Sequence, residues 1–441
     1  YITFILFLNI YGARYSKFGI SRKINTMSQS AREKIFVGPF IHSNEQGELI
    51  IVDRGMIHVK DGKISNIVIN PNLDDIKNEN VSVLSNSQFL VPGFIDCHIH
   101  AVQLPNLGVG YDKQLLEWLE TYTFPLEKKY TDEKFAEKVF NTVVKQTIKS
   151  GTTTACYFAS LYPKASIILG QVAANKGQRA FIGKISMNVK RSDNYYETTE
   201  QSIENINKFI EDLSPLIKPI ITPRFALSCD MTLMKKLGKL AKEKNLHIQV
   251  LYMRYFLCIK YSLCMNYFNI HTVLAHGIYL SDNELVLLNE RDTAIVHCPS
   301  SNTCLKSGLC DIQRLKSKQI KIGLGTDVSG GQNCSILDAM RSALQVSIHL
   351  SLMKDNYKAL NYKDVFYMAT LGGAAALAID NQVGNFEVGK EFDALIVDTD
   401  VSDGLLNNLQ SSTLEEQFQK FIYSGDDRNI IEVYISGCKV K

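Results

Sequence analysis

At 441 residues the chain is long enough for one large barrel and a smaller domain, with ample core. Its 45% hydrophobic and 21% charged residues are ordinary globular composition, and a net charge of +3 is too slight for a nucleic-acid footprint. Ten cysteines without a Cys-x-x-Cys pair read as reduced thiols, which argues against a disulfide framework and for the cytosol.

Residues 1–10 form an apolar run too short to span a bilayer. Arg14, Lys17, Arg22 and Lys23 follow it, the reverse of a signal peptide's charge order. Residues 1–26 therefore read as a leader outside the fold, with a start at Met27; a membrane anchor is the lesser alternative. From 34 to 90 short alternating strands are separated by tight turns, and Asp61-Gly62 between apolar residues signals a hairpin. Matching strand patterns return at 394–397 and 433–437. Strands at both ends predict one small composite β-sandwich domain built from 27–91 and 377–441.

Between these flanks lies the stretch Val91-Pro92-Gly93-Phe94-Ile95-Asp96-Cys97-His98-Ile99-His100. In a strand, residues two apart point to the same side, so His98 and His100 offer two imidazoles to one metal ion. A lone His-x-His is weak evidence, and its context has to carry the reading. A helical stripe of Phe135, Val139, Val143, Val144 and Ile148 follows, closed by Gly151. Buried-type strands then recur at 152–158, 180–185, 219–222, 246–249, 272–275, 294–297 and 321–325. With the His-x-His strand they number eight, which predicts an α/β fold, a (β/α)8 TIM barrel over 92–376.

Catalytic residues of such a barrel sit just after its strands. Val273-Leu274-Ala275-His276-Gly277 ends one strand in a histidine, and Leu324-Gly325-Thr326-Asp327 ends another in a carboxylate. Each alone is weak, since a buried histidine or a helix-capping aspartate is common. Together with His98 and His100 they form an imidazole–carboxylate set suited to Zn²⁺, or to Fe²⁺.

The Pro-Gly-Phe-Ile-Asp lead-in to the His-x-His pair resembles the first metal strand of the amidohydrolase superfamily. The match narrows with Leu115-Leu116-Glu117-Trp118-Leu119-Glu120-Thr121-Tyr122-Thr123-Phe124-Pro125, Thr222-Pro223-Arg224-Phe225, His297-Cys298-Pro299-Ser300-Ser301-Asn302 and Gly325-Thr326-Asp327-Val328-Ser329-Gly330-Gly331. On these motifs most of 34–441 resembles the guanine deaminases of eukaryotic type. The resemblance implies one zinc per chain, with His98, His100 and Asp327 as ligands. It implies that Gln103, Arg224 and Phe225 hold the purine, and that His276, as a donor, and Asp327 take part in catalysis. The implied reaction is attack of activated water on C2 of guanine, releasing ammonia and leaving xanthine. A homodimer without nucleic-acid or membrane partners is the corresponding expectation; another heterocyclic amine is the alternative substrate.

One segment departs from the family. After Leu246-His247-Ile248-Gln249 the guanine deaminases continue with Ser-His-Ile-Ser-Glu, whose His is a further ligand and whose Glu shuttles protons. This chain reads Val250-Leu251-Tyr252-Met253-Arg254, so Leu251 stands at the ligand position and Arg254 at the shuttle position. His247 lies four residues earlier, roughly 13 Å down the strand at about 3.3 Å per residue. His271 falls on the wrong face of its strand. The covering helix after the fifth strand is absent from the pattern, so the barrel is expected to be damaged there. Mistranslated sequence such as a retained intron is the preferred account. A catalytically dead binding protein is the second, and membrane insertion is disfavoured by Arg254 and Lys260.

Overall fold

The computed structural model describes residues 33–72, 80–251, 272–406 and 409–441. The leader over 1–26, Met27, Arg254, His271 and the atypical stretch 252–270 lie outside the described residues. The chain opens with β1 (Glu33–Ser43), β2 (Leu49–Lys60), β3 (Lys63–Ile69), β4 (Val81–Val83) and β5 (Gln88–Pro92). The hairpin expected at Asp61-Gly62 joins β2 to β3, with both residues at positive φ (50° and 81°) as its tight turn requires.

Eight parallel strands follow, as the sequence implies. They are β6 (Phe94–His100), β7 (Thr152–Phe158), β8 (Arg179–Gly183) with a short continuation β9 (Ile185–Ser186), β10 (Lys218–Pro223), β11 (His247–Leu251), β12 (Thr272–Ala275), β13 (Ala294–His297) and β14 (Ile322–Leu324). The strand expected over 180–185 is thus split at Lys184, whose buried ammonium pairs with Glu197. Pairing runs in sequence order from β6 to β14. Between β14 and β6, backbone bonds form beyond the end of β14: Asp327 donates to the His98 carbonyl (2.8 Å) and His100 to that of Val328 (3.2 Å). The helix Glu133–Lys149 begins where Asp132 accepts the amides of Lys134 and Phe135, and buries Val139, Val143, Val144 and Ile148.

The fifth strand itself forms, contrary to the damage expected there, and the stretch after it lies outside the described residues. β11 pairs with β10 on one side and with β12 on the other, in register from Ile248–Thr272 to Leu251–Ala275. Its buried Ile248 and Val250 still supply the apolar positions such a strand needs.

The chain closes with β15 (Ala394–Asp398), β16 (Ile430–Ile435) and β17 (Cys438–Lys439). These join β1–β5 in one eight-stranded sheet through antiparallel β5–β15 pairing. The sheet curls until the β2–β3 hairpin meets the C-terminal strands: Gly437 donates to Phe392, which donates to Gly62. A Cβ on Gly62 would lie 2.4 Å from the Ser436 carbonyl, so only glycine permits this approach. Phe36, Phe40, Phe386, Phe392 and Tyr434 fill the space enclosed. The helix Leu414–Ser424, capped by Thr413 and Glu416, sets Phe418 and Phe421 edge-on against Phe89. The Arg179 guanidinium binds Asp393 and Glu391, tying the barrel to the sheet. No helix among the described residues is long and apolar enough to cross a membrane, and the described cysteines are free.

Candidate metal and substrate site

The strand ends converge as the barrel topology demands. Nε2 of His98 and Nε2 of His100 each lie 3.3 Å from Oδ1 of Asp327, and Nε2 of His276 lies 3.8 Å from Oδ2. Ligand atoms of His98, His276 and Asp327 all fall within 4.8 Å of one another. Zinc–ligand bonds of about 2.0–2.1 Å in a tetrahedron place neighbouring ligand atoms about 3.3 Å apart. The separations around Asp327 match that edge. The buried Nε2 of His98 has no hydrogen-bond partner, as expected of an atom meant for a metal. The residues present therefore fit a zinc-type ion.

Several neighbours hold this set in place. The Phe158 ring, at the end of β7, packs 4.8 and 4.6 Å from the rings of His98 and His100. Asp96 is fully buried and accepts Oγ1 of Thr326 (2.6 Å) and the amides of Thr326 and His98 (both 3.1 Å). Burial raises the Asp96 carboxyl to about 7. Burial also pushes the Asp327 carboxyl up, but the imidazoles of His100 and His98 outweigh it and hold the group well below its usual range. Asp327 and His276 both adopt left-handed backbone, with φ of 48° and 78°. Non-glycine residues adopt it mainly in turns, as Asp61 does in the β2–β3 hairpin.

His276, expected to act as a donor, has its ring oriented by Asn302. Its Nδ1 lies 3.0 Å from Oδ1 of Asn302; with the amide in this orientation the ring hydrogen sits on Nδ1. The Nε2 facing Asp327 then carries a lone pair. The ring is largely buried, and burial lowers its pKa to about 4, leaving it neutral.

A cavity of about 490 Å³ opens beside these groups, lined by His100, Asp327, Gln103, Arg224, Phe225 and Leu251 among others. Arg224 is buried rather than superficial, at 1% exposure. The pair of parallel donors expected to meet substrate is partly committed elsewhere. Nη1 and Nη2 donate to the two carboxylate oxygens of Glu127 at 2.5 and 2.9 Å. The Nε–Nη2 edge remains, and its Nε is buried without a partner. Gln103 donates to Glu127 (2.9 Å) and accepts the Ser329 amide (3.3 Å), while the Tyr195 hydroxyl donates to Glu127 at 2.9 Å. Burial pushes Glu127 up, yet the Arg224 charge prevails and keeps it below its usual range. The Phe124 ring lies 4.8 Å from the guanidinium carbon of Arg224. Phe225 is buried at the cavity wall.

Leu251 lines the same cavity with an alkyl side chain, and its amide donates to the Arg224 carbonyl at 3.1 Å. Among the described residues, the end of β11 supplies no side-chain donor atom. Glu127, Asn302 and Phe158 were not singled out in the sequence. Glu127 opens the run Glu127-Lys128-Lys129, which reads as a solvated helix face. Asn302 and Phe158 lie within recognisable motifs but carry no signal of their own. His297 is buried with both ring nitrogens unpartnered and lies outside the ligand cluster.

Comparison with known proteins follows the same division. The model of the amidohydrolase family matches residues 89–250 and 262–440, breaking at the atypical segment. The guanine deaminase of Dictyostelium discoideum is 41% identical, with 92% of this chain and 98% of the relative covered. That of Homo sapiens is also 41% identical, covering 92% of this chain and 96% of the relative. The structure of guanine deaminase from C. acetobutylicum with guanine bound in its active site is 33% identical. It covers 93% of this chain and 100% of that one, with a TM-score of 0.85.

Proposed function

Because the chain belongs to the amidohydrolase family and, within it, to the guanine deaminases, we propose that its strand-end site hydrolyses guanine to xanthine and ammonia. The observation that carries this reading is one cavity. It is lined by the imidazole–carboxylate cluster and by a guanidinium, an amide and an aromatic face suited to a purine.

His98, His100 and Asp327 would hold zinc, which supplies a Lewis acid and brings the pKa of a water to about 7. The chain's own residues divide the remaining work. The Nε–Nη2 edge of Arg224 presents two parallel donors to the carbonyl edge of guanine. Glu127 fixes that edge by clamping the opposite side of the guanidinium. Gln103 retains one amide hydrogen for the purine, and Phe225 gives the ring an apolar face. Asp327, held ionised, accepts a proton from the attacking water and returns it to the departing amino group at C2. His276 contributes a lone pair at Nε2 rather than a hydrogen. Water adds one oxygen at C2 and one ammonia leaves, so atoms balance.

A location in the cytosol is supported by the free thiols, and a homodimer by the family resemblance alone. A second reading, a guanine-binding protein with little turnover, is favoured by Leu251. The guanidinium of Arg254 cannot accept a proton in the shuttle's place. Xanthine and ammonia production by the purified chain, with adenine and cytosine as comparison substrates, tests the assignment. Binding and turnover of guanine alone support it. Preference for either of the other amines overturns the substrate assignment, and guanine binding without any turnover favours the second reading. Splice signals flanking codons 250–270 would trace the departure to a retained intron.

A further inference from the structure

We infer that in this chain His276 is itself a metal ligand, occupying the coordination position that Leu251 leaves without a donor. The inference rests on the reading of the strand-end cluster as a metal centre and goes beyond it by changing the ligand set.

Three observations on adjacent strands converge. First, Leu251 pairs in parallel register with Ala275, so the residue that lacks a donor lies beside the one preceding His276. The imidazole neighbours the vacated position. Second, its Nε2 already sits among the other donors, 3.8 Å from Asp327 Oδ2 and within 4.8 Å of the ligand atoms of His98 and Asp327. Third, Nδ1 lies 3.0 Å from Oδ1 of Asn302; with the amide so oriented the ring hydrogen sits on Nδ1 and the nitrogen facing the cluster offers a lone pair. Metal-bound imidazoles characteristically donate their other ring hydrogen to a carbonyl or carboxylate, which fixes both tautomer and orientation. Asn302 Oδ1 serves that purpose here. The left-handed backbone of His276, followed by Gly277 at φ 59°, turns the chain away directly after the ring is delivered.

Ligand atoms of His98, Asp327 and His276 lie within 4.8 Å of one another and His100 lies 3.3 Å from Asp327, so the four supply donors of the kinds zinc takes. Four protein groups are also the number the family's own set supplies, so water would enter as a fifth donor.

The test uses the full chain loaded with Co²⁺, read by its visible absorption and by competition with a chelator. Loss of a direct ligand should exceed the 10–100-fold effect typical of a second-shell partner, so His276→Ala should weaken Co²⁺ binding by more than about 100-fold. The visible bands should change in position and intensity. In a Leu251→His background the same replacement should cost less than about tenfold, because the imidazole from β11 takes the position back. Melting of the metal-free forms checks that the variants fold, and His276→Gln serves if the alanine variant does not. Unchanged Co²⁺ affinity and spectrum in both His276 variants of the Leu251 chain overturn the inference. Guanine binding to the metal-free chain is measured in parallel, since it depends on Arg224 and not on His276. Its failure would sink the substrate reading and leave the ligand assignment standing.

Discussion

Replacing Arg224 by Ala should destabilise the protein more than it weakens guanine binding. Both partners of the Arg224–Glu127 pair are about 1% exposed at the side chain. Truncating the arginine leaves the Glu127 carboxylate buried, with the Tyr195 hydroxyl and the Gln103 amide as its remaining donors among the described residues. Breaking a buried ion pair from one side costs about 3–5 kcal/mol. Losing the two donors to the guanine carbonyl costs about 1–3 kcal/mol of binding. The single variant therefore mixes two effects, and the larger one is structural. The double variant Arg224→Met with Glu127→Leu separates them. An apolar pair of similar volume should restore most of the stability, since such replacements are often neutral. The binding defect of about 1–3 kcal/mol, roughly 5–150-fold in affinity, should remain. Denaturant titration gives the first quantity and calorimetry with guanine the second. A double variant as unstable as the single one would refute the ion-pair account. One that binds guanine like the parent would refute the substrate role of Arg224.

The same pair sets a pH dependence: Glu127 is held below its unfolded value, so its contribution is complete above that value and lost as pH falls through the folded one. The stability gap between the parent and the Arg224→Met, Glu127→Leu variant should accordingly shift in the double variant's favour on acidification, as denaturation at graded pH will show. Thr326→Val removes the 2.6 Å bond to Asp96 and should weaken metal binding by about 10–100-fold without altering its donors, measurable by chelator competition. Restoring a His–Glu segment of the family type after Gln249, with its following helix, should raise zinc content, solubility and turnover together. Acid–base help alone contributes about 10²–10⁴-fold. If the unmodified chain turns over within about tenfold of the restored one, the shuttle assignment at Arg254 is wrong.

The barrel was legible because each strand carries its own compact signal, a short apolar run bounded by polar or glycine residues. The metal cluster was legible for the same reason: His98, His100, His276 and Asp327 all sit where a strand ends. Glu127 was not, because its partner Arg224 lies 97 residues away and nothing local distinguishes a clamping carboxylate from a solvated one. The tautomer of His276 depends on Asn302, 26 residues on, and is invisible until the two side chains meet. The partner of Lys184 at the strand break, Glu197, likewise lies beyond the strand.

The backbone bonds between the His-x-His strand and the Asp327 turn have a consequence for breathing of the molecule. The amides of Asp327 and His100, and the carbonyl of His98, belong to residues whose side chains form the metal cluster. The barrel's seam is thus stitched by its own ligands. An ion gripping those side chains would pin first strand to last, and its removal would let that seam gape before any other pair of strands parts. Binding energy and barrel closure are then linked quantities, each strengthening the other by mass action. Amide hydrogen exchange at Asp327 and His100 should slow on loading with metal, while the β7–β8 ladder exchanges at an unaltered rate.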